Sequence, residues 1–186
     1  MEELLKKIGY TNKDIKKEQL IIVKIGEAIY LYDNNKLYDK ISQFYIGKNG
    51  ATNKKTEGDG KTPYGLYDIG FAFGTQDLSN VIKYPYRKIT ENSYWVDDIN
   101  SNKYNQWVES SIDKDWKSAE HLIEYPIQYK YGLVIEYNTK TPIKGLGSAI
   151  FMHVYKNTYT AGCIAVSESD MLKILKWVRD AQILIL

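Results

Sequence analysis

The apolar residues of this chain are gathered into short runs, rich in β-branched and aromatic side chains, such as Leu20-Ile21-Ile22-Val23, Ile150-Phe151-Met152 and Ile183-Leu184-Ile185-Leu186. Such runs fall far short of the roughly 20 apolar residues that span a bilayer as a helix. Their composition suits buried strands. Tyrosine, with 17 copies, strengthens the reading, because its ring is a good strand former with an apolar body and a polar tip. The sequence therefore predicts a mainly β protein with half-buried sheet faces and an open groove, with most of the tyrosines covering those faces.

At 186 residues the chain fits one domain, long enough to bury roughly 70% of its unfolded surface. The 25 basic residues nearly balance the 23 acidic ones, leaving a net charge of +2. Basic pairs such as Lys6-Lys7, Lys16-Lys17, Lys54-Lys55 and Arg87-Lys88 are scattered, so no nucleic-acid partner is expected. No membrane span is expected either. Met1 to Gly9 contain acids and no apolar core segment, so they are not expected to be a secretory signal. Either a leader has been removed or the chain stays in the cytoplasm, and a single cysteine fits both.

Residues 1–18 are expected to form an N-terminal helix over Glu2 to Ile8, ended by Gly9, or the remnant of a linker. Residues 19–186 form the main domain. Strands are expected at Leu20 to Lys24, Ala28 to Tyr32 and Lys36 to Ile46, with Asp33-Asn34-Asn35 as a turn. Gly47 to Gly60 reads as a loop and Lys61 to Phe73 as an extended entry followed by a strand. From Phe73 to about Tyr125 the aromatics Tyr94, Trp95, Tyr104, Trp107 and Trp116 are scattered among Asp, Asn and Ser. This reads as a long loop-rich insertion walling a groove, with a helical turn over Trp116 to Ile123. Strands follow at Tyr129 to Tyr137, Ala149 to Tyr155 and Cys163 to Val166. Ser167 then caps a helix running to Val178, and Ile183 to Leu186 is the last strand.

Cys163 is the only cysteine, ten positions after His153. It has no partner for an internal disulfide, and one thiol with one imidazole is too few ligands for a structural zinc site, so no metal is expected. A buried inert thiol and a nucleophile remain. For the nucleophile, Ala161-Gly162 leaves room for a substrate carbonyl, and the amides of Gly162, Cys163 and Ile164 are natural oxyanion donors. His153, held in an apolar run, is the candidate base that would lower the thiol's pKa. His121 is expected to face solvent or the groove rim. Glu120, Asp97 and Asp98 could orient His153, but each reads as structural.

Gly58-Asp59-Gly60-Lys61-Thr62-Pro63-Tyr64-Gly65, Tyr104-Asn105-Gln106-Trp107, Ser118-Ala119-Glu120-His121, Gly147-Ser148-Ala149-Ile150-Phe151-Met152-His153 and Thr160-Ala161-Gly162-Cys163 occur in this order. Together they resemble the L,D-transpeptidase (YkuD-like) catalytic domain from about Gln19 onward. The family motif is a His, a spacer, Ser/Thr-His-Gly-Cys, a hydrophobic residue, then Asn or Arg. Here Ala161 and Ala165 depart from it and the spacer is short, which marks a divergent branch.

The resemblance implies a single-domain, β-sandwich or barrel-like fold with a few short helices. It implies an enzyme that attacks a peptidoglycan stem peptide with Cys163, forms a thioester, and transfers it to an amine, giving a 3,3 cross-link. His153 is oriented in such enzymes by a backbone carbonyl, no cofactor is used, and carbapenems acylate the cysteine. Trp95, Tyr104, Asn105, Trp107, Ser148, Thr160 and Ala161 are the expected substrate contacts. The expected location is outside the cytoplasm, at the cell wall or periplasm. An L,D-carboxypeptidase that hydrolyses the same thioester, and a non-catalytic wall-binding module, are the alternatives.

Overall fold

In chain order the strands are β1 (Gln19–Lys24), β2 (Ala28–Asp33), β3 (Lys36–Ile41), β4 (Phe44–Tyr45), β5 (Ala51–Thr52), β6 (Thr62–Pro63), β7 (Gly65–Gly74), β8 (Tyr86–Lys88), β9 (Ser93–Val96), β10 (Trp107–Glu109), β11 (Ala119–His121), β12 (Gly132–Ile135), β13 (Phe151–Val154), β14 (Ile164–Val166) and β15 (Ala181–Ile185). Helix α1 (Glu168–Trp177) precedes β15. This computed structural model describes residues 5–6, 9–11, 13–109, 114–156 and 158–186. Most of the expected Glu2 to Ile8 helix lies outside them. Leu5, which is described, is fully buried with Leu20, Ile22 and Leu184, and Tyr10 and Ile15 pack on the same group.

The main sheet runs β3-β2-β1-β15-β7-β12-β13-β14-β4, with β8 added beside β7. β1 and β15 are parallel, Gln19 opposite Ala181. The hairpin turn between β2 and β3 uses Asn34 and Asn35 at φ of 47° and 64°, the left-handed region that Asn tolerates. The expected strand to Ile46 is broken at Ser42-Gln43. β3 ends one side of the sheet and β4 leaves to pair with β14 at the other, so two residues join its extremes and the sheet curls into a nearly closed barrel.

Period-two alternation divides the side chains between two cores. Met152, Val154, Ile164 and Val166 face the main core, where Met171, Ile174 and Leu175 of α1 cover them. Ser167 caps α1 by accepting from the Asp170 amide at 3.1 Å. Phe151 and Cys163 face a second, aromatic core with Phe73, Trp95, Leu122 and Tyr129.

The stretch from Phe73 to Tyr125 is more ordered than expected. β10, β9 and β11 form a separate three-stranded sheet, and Trp95 from β9 packs its ring 4.8 Å from Phe151. Burying an aromatic side chain of this kind stabilises by roughly 1.5–3 kcal/mol, enough to fix the insertion on the sheet. The expected helical turn over Trp116 to Ile123 is instead β11 followed by a 3-10 turn at Leu122–Glu124. Pairing with β9, and the stacking of His121 on Tyr94 at 4.4 Å, outweigh local helix propensity. The expected strand at Tyr129 likewise begins as a 3-10 turn, Gln128–Lys130, with the Lys130 amide donating to the Ile127 carbonyl at 3.4 Å and the Tyr129 amide reaching back to the Tyr125 carbonyl at 2.8 Å.

Candidate functional site

β13 and β14 are parallel neighbours with His153 opposite Ala165 in register. Cys163 lies two residues before Ala165, so the alternation that turns Ile164 and Val166 into the main core leaves Cys163, Ala165 and His153 on the other face. All three line a cavity of about 260 Å³. Its wall is made by Tyr129, Tyr155 and Tyr159, and by Glu120.

The turn that delivers Cys163 is tied at several points. Thr160 Oγ1 donates to the Cys163 carbonyl at 2.6 Å and accepts from the Gly162 amide at 3.0 Å. Thr62 Oγ1 donates to the Gly162 carbonyl at 2.8 Å. Gly162 has φ +150°, and a Cβ there would sit 2.9 Å from the Lys61 carbonyl oxygen, so glycine is required. Of the three amides expected to hold an oxyanion, that of Gly162 is therefore already engaged by Thr160.

The sulfur is buried. It donates to the Ala149 carbonyl at 3.1 Å and accepts from the Phe151 amide at 3.3 Å. Burial pushes the thiol up to about 12; Glu120 adds to the rise, and the Phe151 amide and Lys55 oppose it. The sequence predicts a thiol lowered by its histidine, and the resting site differs because desolvation is the largest influence on both groups and favours the neutral form of each.

His153 is buried too, and burial pushes it down to about 4, opposed by the Val154 carbonyl. Its Nδ1 lies 2.8 Å from that carbonyl oxygen. A carbonyl can only accept, so Nδ1 carries the proton and Nε2 keeps its lone pair. Neutral imidazole beside neutral thiol is the resting state.

Glu120, read as structural from the sequence, lies at the centre of the site. β11 turns it inward while His121 points away, its ring nitrogens 2.8 Å from the Glu91 carbonyl and 3.0 Å from Glu124 Oε1. Glu120 accepts a hydrogen bond from the Tyr129 hydroxyl, and burial with Asp97 and Glu57 nearby pushes it up to about 7. It also lines a second cavity, of about 190 Å³, which Cys163 shares and His153 does not.

Of the expected substrate contacts, Thr160 and Ala161 line the first cavity, and Ser148 and Ala161 the second. Trp95, Tyr104, Asn105 and Trp107 line neither. Asn105 is a buried hub: its Oδ1 accepts from Trp95 Nε1 at 2.9 Å and the Ala149 amide at 3.0 Å, and its Nδ2 donates to the Tyr137 and Asn138 carbonyls. Tyr104 donates to Glu57 Oε2 at 2.5 Å and accepts from the Gly147 amide at 3.1 Å. Trp107 packs edge-on against Phe71 and Phe73. These residues stand behind the wall and position it. The tyrosines that form the wall come from the segments around 125–131 and 155–160, where the sequence offered only a strand start and a connection.

The L,D-transpeptidase (YkuD) catalytic-domain model matches residues 18–185, nearly the whole chain. The chain belongs to this family. No curated protein sequence matches it. Among solved structures it is similar to the helical cell shape determining protein Pgp2 of Campylobacter jejuni, at 15% identity and a TM-score of 0.50, over 92% of this chain and 48% of that one. It is also similar to an L,D-transpeptidase (Yku) of Stackebrandtia nassauensis, at 13% identity and a TM-score of 0.45, over 92% of this chain and 56% of the other. The chain thus spans about half the length of the structures it matches, and at these identities the likeness is one of fold. The nearly closed, mainly β barrel is the L,D-transpeptidase-like fold.

Proposed function

We propose that this chain is a cysteine-dependent L,D-transpeptidase acting on peptidoglycan stem peptides outside the cytoplasm, with Cys163 as nucleophile and His153 as proton carrier. One observation carries the reading: the sole thiol and the sole buried imidazole face one cavity from adjacent strands, the imidazole with its Nε2 lone pair free.

As the sulfur leaves the Ala149 carbonyl and attacks the carbonyl carbon of the third stem residue, His153 Nε2 takes the thiol proton. The new C–S bond forms, and the amides of Cys163 and Ile164 hold the oxyanion. The C–N bond to the terminal D-alanine then breaks, and the imidazolium returns the proton to the departing amine. A second stem's amine attacks the thioester, gives its proton to His153, and the restored thiolate recovers it. The Val154 carbonyl holds the imidazole in one tautomer throughout. No step calls on a metal or cofactor.

Incubation with defined tetrapeptide muropeptides, read by mass, tests this. Cross-linked dimers lost in Cys163→Ala are expected, as is a single carbapenem adduct lost in the same variant. Tripeptide and free D-alanine alone, with acceptor in excess, would assign the carboxypeptidase activity instead. No turnover and no adduct would leave a wall-binding module.

A further inference from the structure

We propose that the second cavity, bounded by Glu120, Asp97 and Glu57 and shared by Cys163, holds a protonated primary amine of the substrate. This deepens the acyl-transfer reading and rests on it for the identity of the amine. Three carboxylates converge on a space of about 190 Å³, while its one cation, Lys55, is already paired with Asp59 at 2.7 Å and buried. The cavity is smaller than the roughly 300–1,000 Å³ of a small-molecule pocket, so it suits a chain end and not a whole ligand.

Two buried oxygens at this cavity lack partners of their own. Asp97 Oδ1 has none among the described residues. Ser148 is 7% exposed, and its Oγ makes no hydrogen bond of normal geometry, although it approaches the Tyr104 hydroxyl, which Glu57 and the Gly147 amide already engage. Buried polar atoms are nearly always hydrogen-bonded, so an unmatched carboxylate oxygen and hydroxyl beside the carboxylates of Glu120 and Glu57 mark the place of a missing donor. An ammonium group offers three donors and no acceptor, which matches the oxygens of Asp97, Glu120, Glu57 and Ser148 on this cavity. No group of three His, Cys, Asp or Glu among the described residues is arranged to hold a metal ion, and the spread of these carboxylates fits a group that donates in separate directions.

The field of Glu120 opposes ionisation of the thiol. An ammonium bound beside it offsets that field, so the site favours thiolate formation when the amine-bearing substrate is in place.

The test measures binding to Cys163→Ala protein, which cannot acylate, so its outcome is independent of turnover. The probes are Nα-acetyl-L-lysine amide and its Nε-acetylated counterpart, titrated by calorimetry at pH 8, where Glu120 is ionised. We expect the free amine to bind at least tenfold more tightly, and Glu120→Gln or Asp97→Asn, each added to Cys163→Ala, to abolish the preference in proteins whose circular dichroism is unchanged. Equal binding of the two probes, or a preference that survives both substitutions, would overturn the proposal. Absence of turnover and of acyl-enzyme in the protein that retains Cys163, with the binding preference intact, would instead count against the acyl-transfer reading.

Discussion

The Cys163 thiol donates its hydrogen to the Ala149 carbonyl, 3.1 Å away, and Ala149 presents that carbonyl from a left-handed backbone at φ 52°. A side chain other than glycine, asparagine or aspartate rarely adopts this conformation, and it persists where the surroundings enforce it. The enforcing group is Asn105, whose Oδ1 fixes the Ala149 amide. With its proton held on a carbonyl, the resting sulfur is a thiol.

A neutral, buried thiol reacts slowly with alkylating agents, because the thiolate is the nucleophile. Raising the thiol to about 12 cuts its thiolate fraction at neutral pH by more than about three orders of magnitude relative to a free cysteine near 8.5. Iodoacetamide at pH 7.5 should therefore label the folded protein at least ~100-fold more slowly than the urea-unfolded chain. Equal rates, read by intact mass, would show a preformed thiolate.

His153 acts as a base from its neutral form. Its pKa is depressed to about 4, so the lone pair on Nε2 survives acidification until the pH approaches that value. Acylation followed by mass should show no acid limb above pH 5 attributable to imidazole. His153→Gln should lower its rate by about 10²-fold or more.

Asn105 accepts from Trp95 and Ala149 and donates to two carbonyls, from φ +56°. Asn105→Ala strands the buried indole N–H and the Ala149 amide and adds backbone strain. We expect it to lose about 3–5 kcal/mol in urea denaturation. Asn105→Gly keeps the conformation but not the bonds. It should therefore recover about 1 kcal/mol and no more; full recovery would show that strain, not hydrogen bonding, is the larger effect.

Glu120 has its carboxyl raised from 4.5 to about 7. The folded protein holds this proton more tightly than the unfolded chain. The stabilisation from it is therefore full below pH 4.5 and lost as the pH rises through 7. Glu120→Gln removes the cost of the buried charge and should raise stability at pH 8 by roughly 1–3 kcal/mol, with little effect at pH 4. A melting temperature lowered at pH 8 would contradict this.

The strands around Cys163 and His153 were legible because their apolar runs are local signals, and so was the Asn34-Asn35 turn between β2 and β3. The ordered motifs likewise pointed to the family that matches residues 18–185. What the sequence hid was set by long-range partners. Trp95 and Asn105 read as groove residues until Phe151 and Ala149 claimed them. The helical pattern over Trp116 to Ile123 yielded to a strand, and pairing with β9 turned Glu120 inward. Nothing near Glu120 in the chain announces Tyr129 or Cys163 as its neighbours, since both contacts depend on the fold.

The parallel pairing of Gln19 with Ala181 has a kinetic side. β1 receives its second neighbour only after β15 has been synthesised, so during translation the early β1–β2 hairpin has an open edge with Leu20 and Ile22 uncovered. Contacts of such long sequence separation close late and slow the search for the native state. A nascent chain stalled before residue 181 should thus present a sticky apolar strand to the ribosome's chaperones, and only the arrival of β15 seals it.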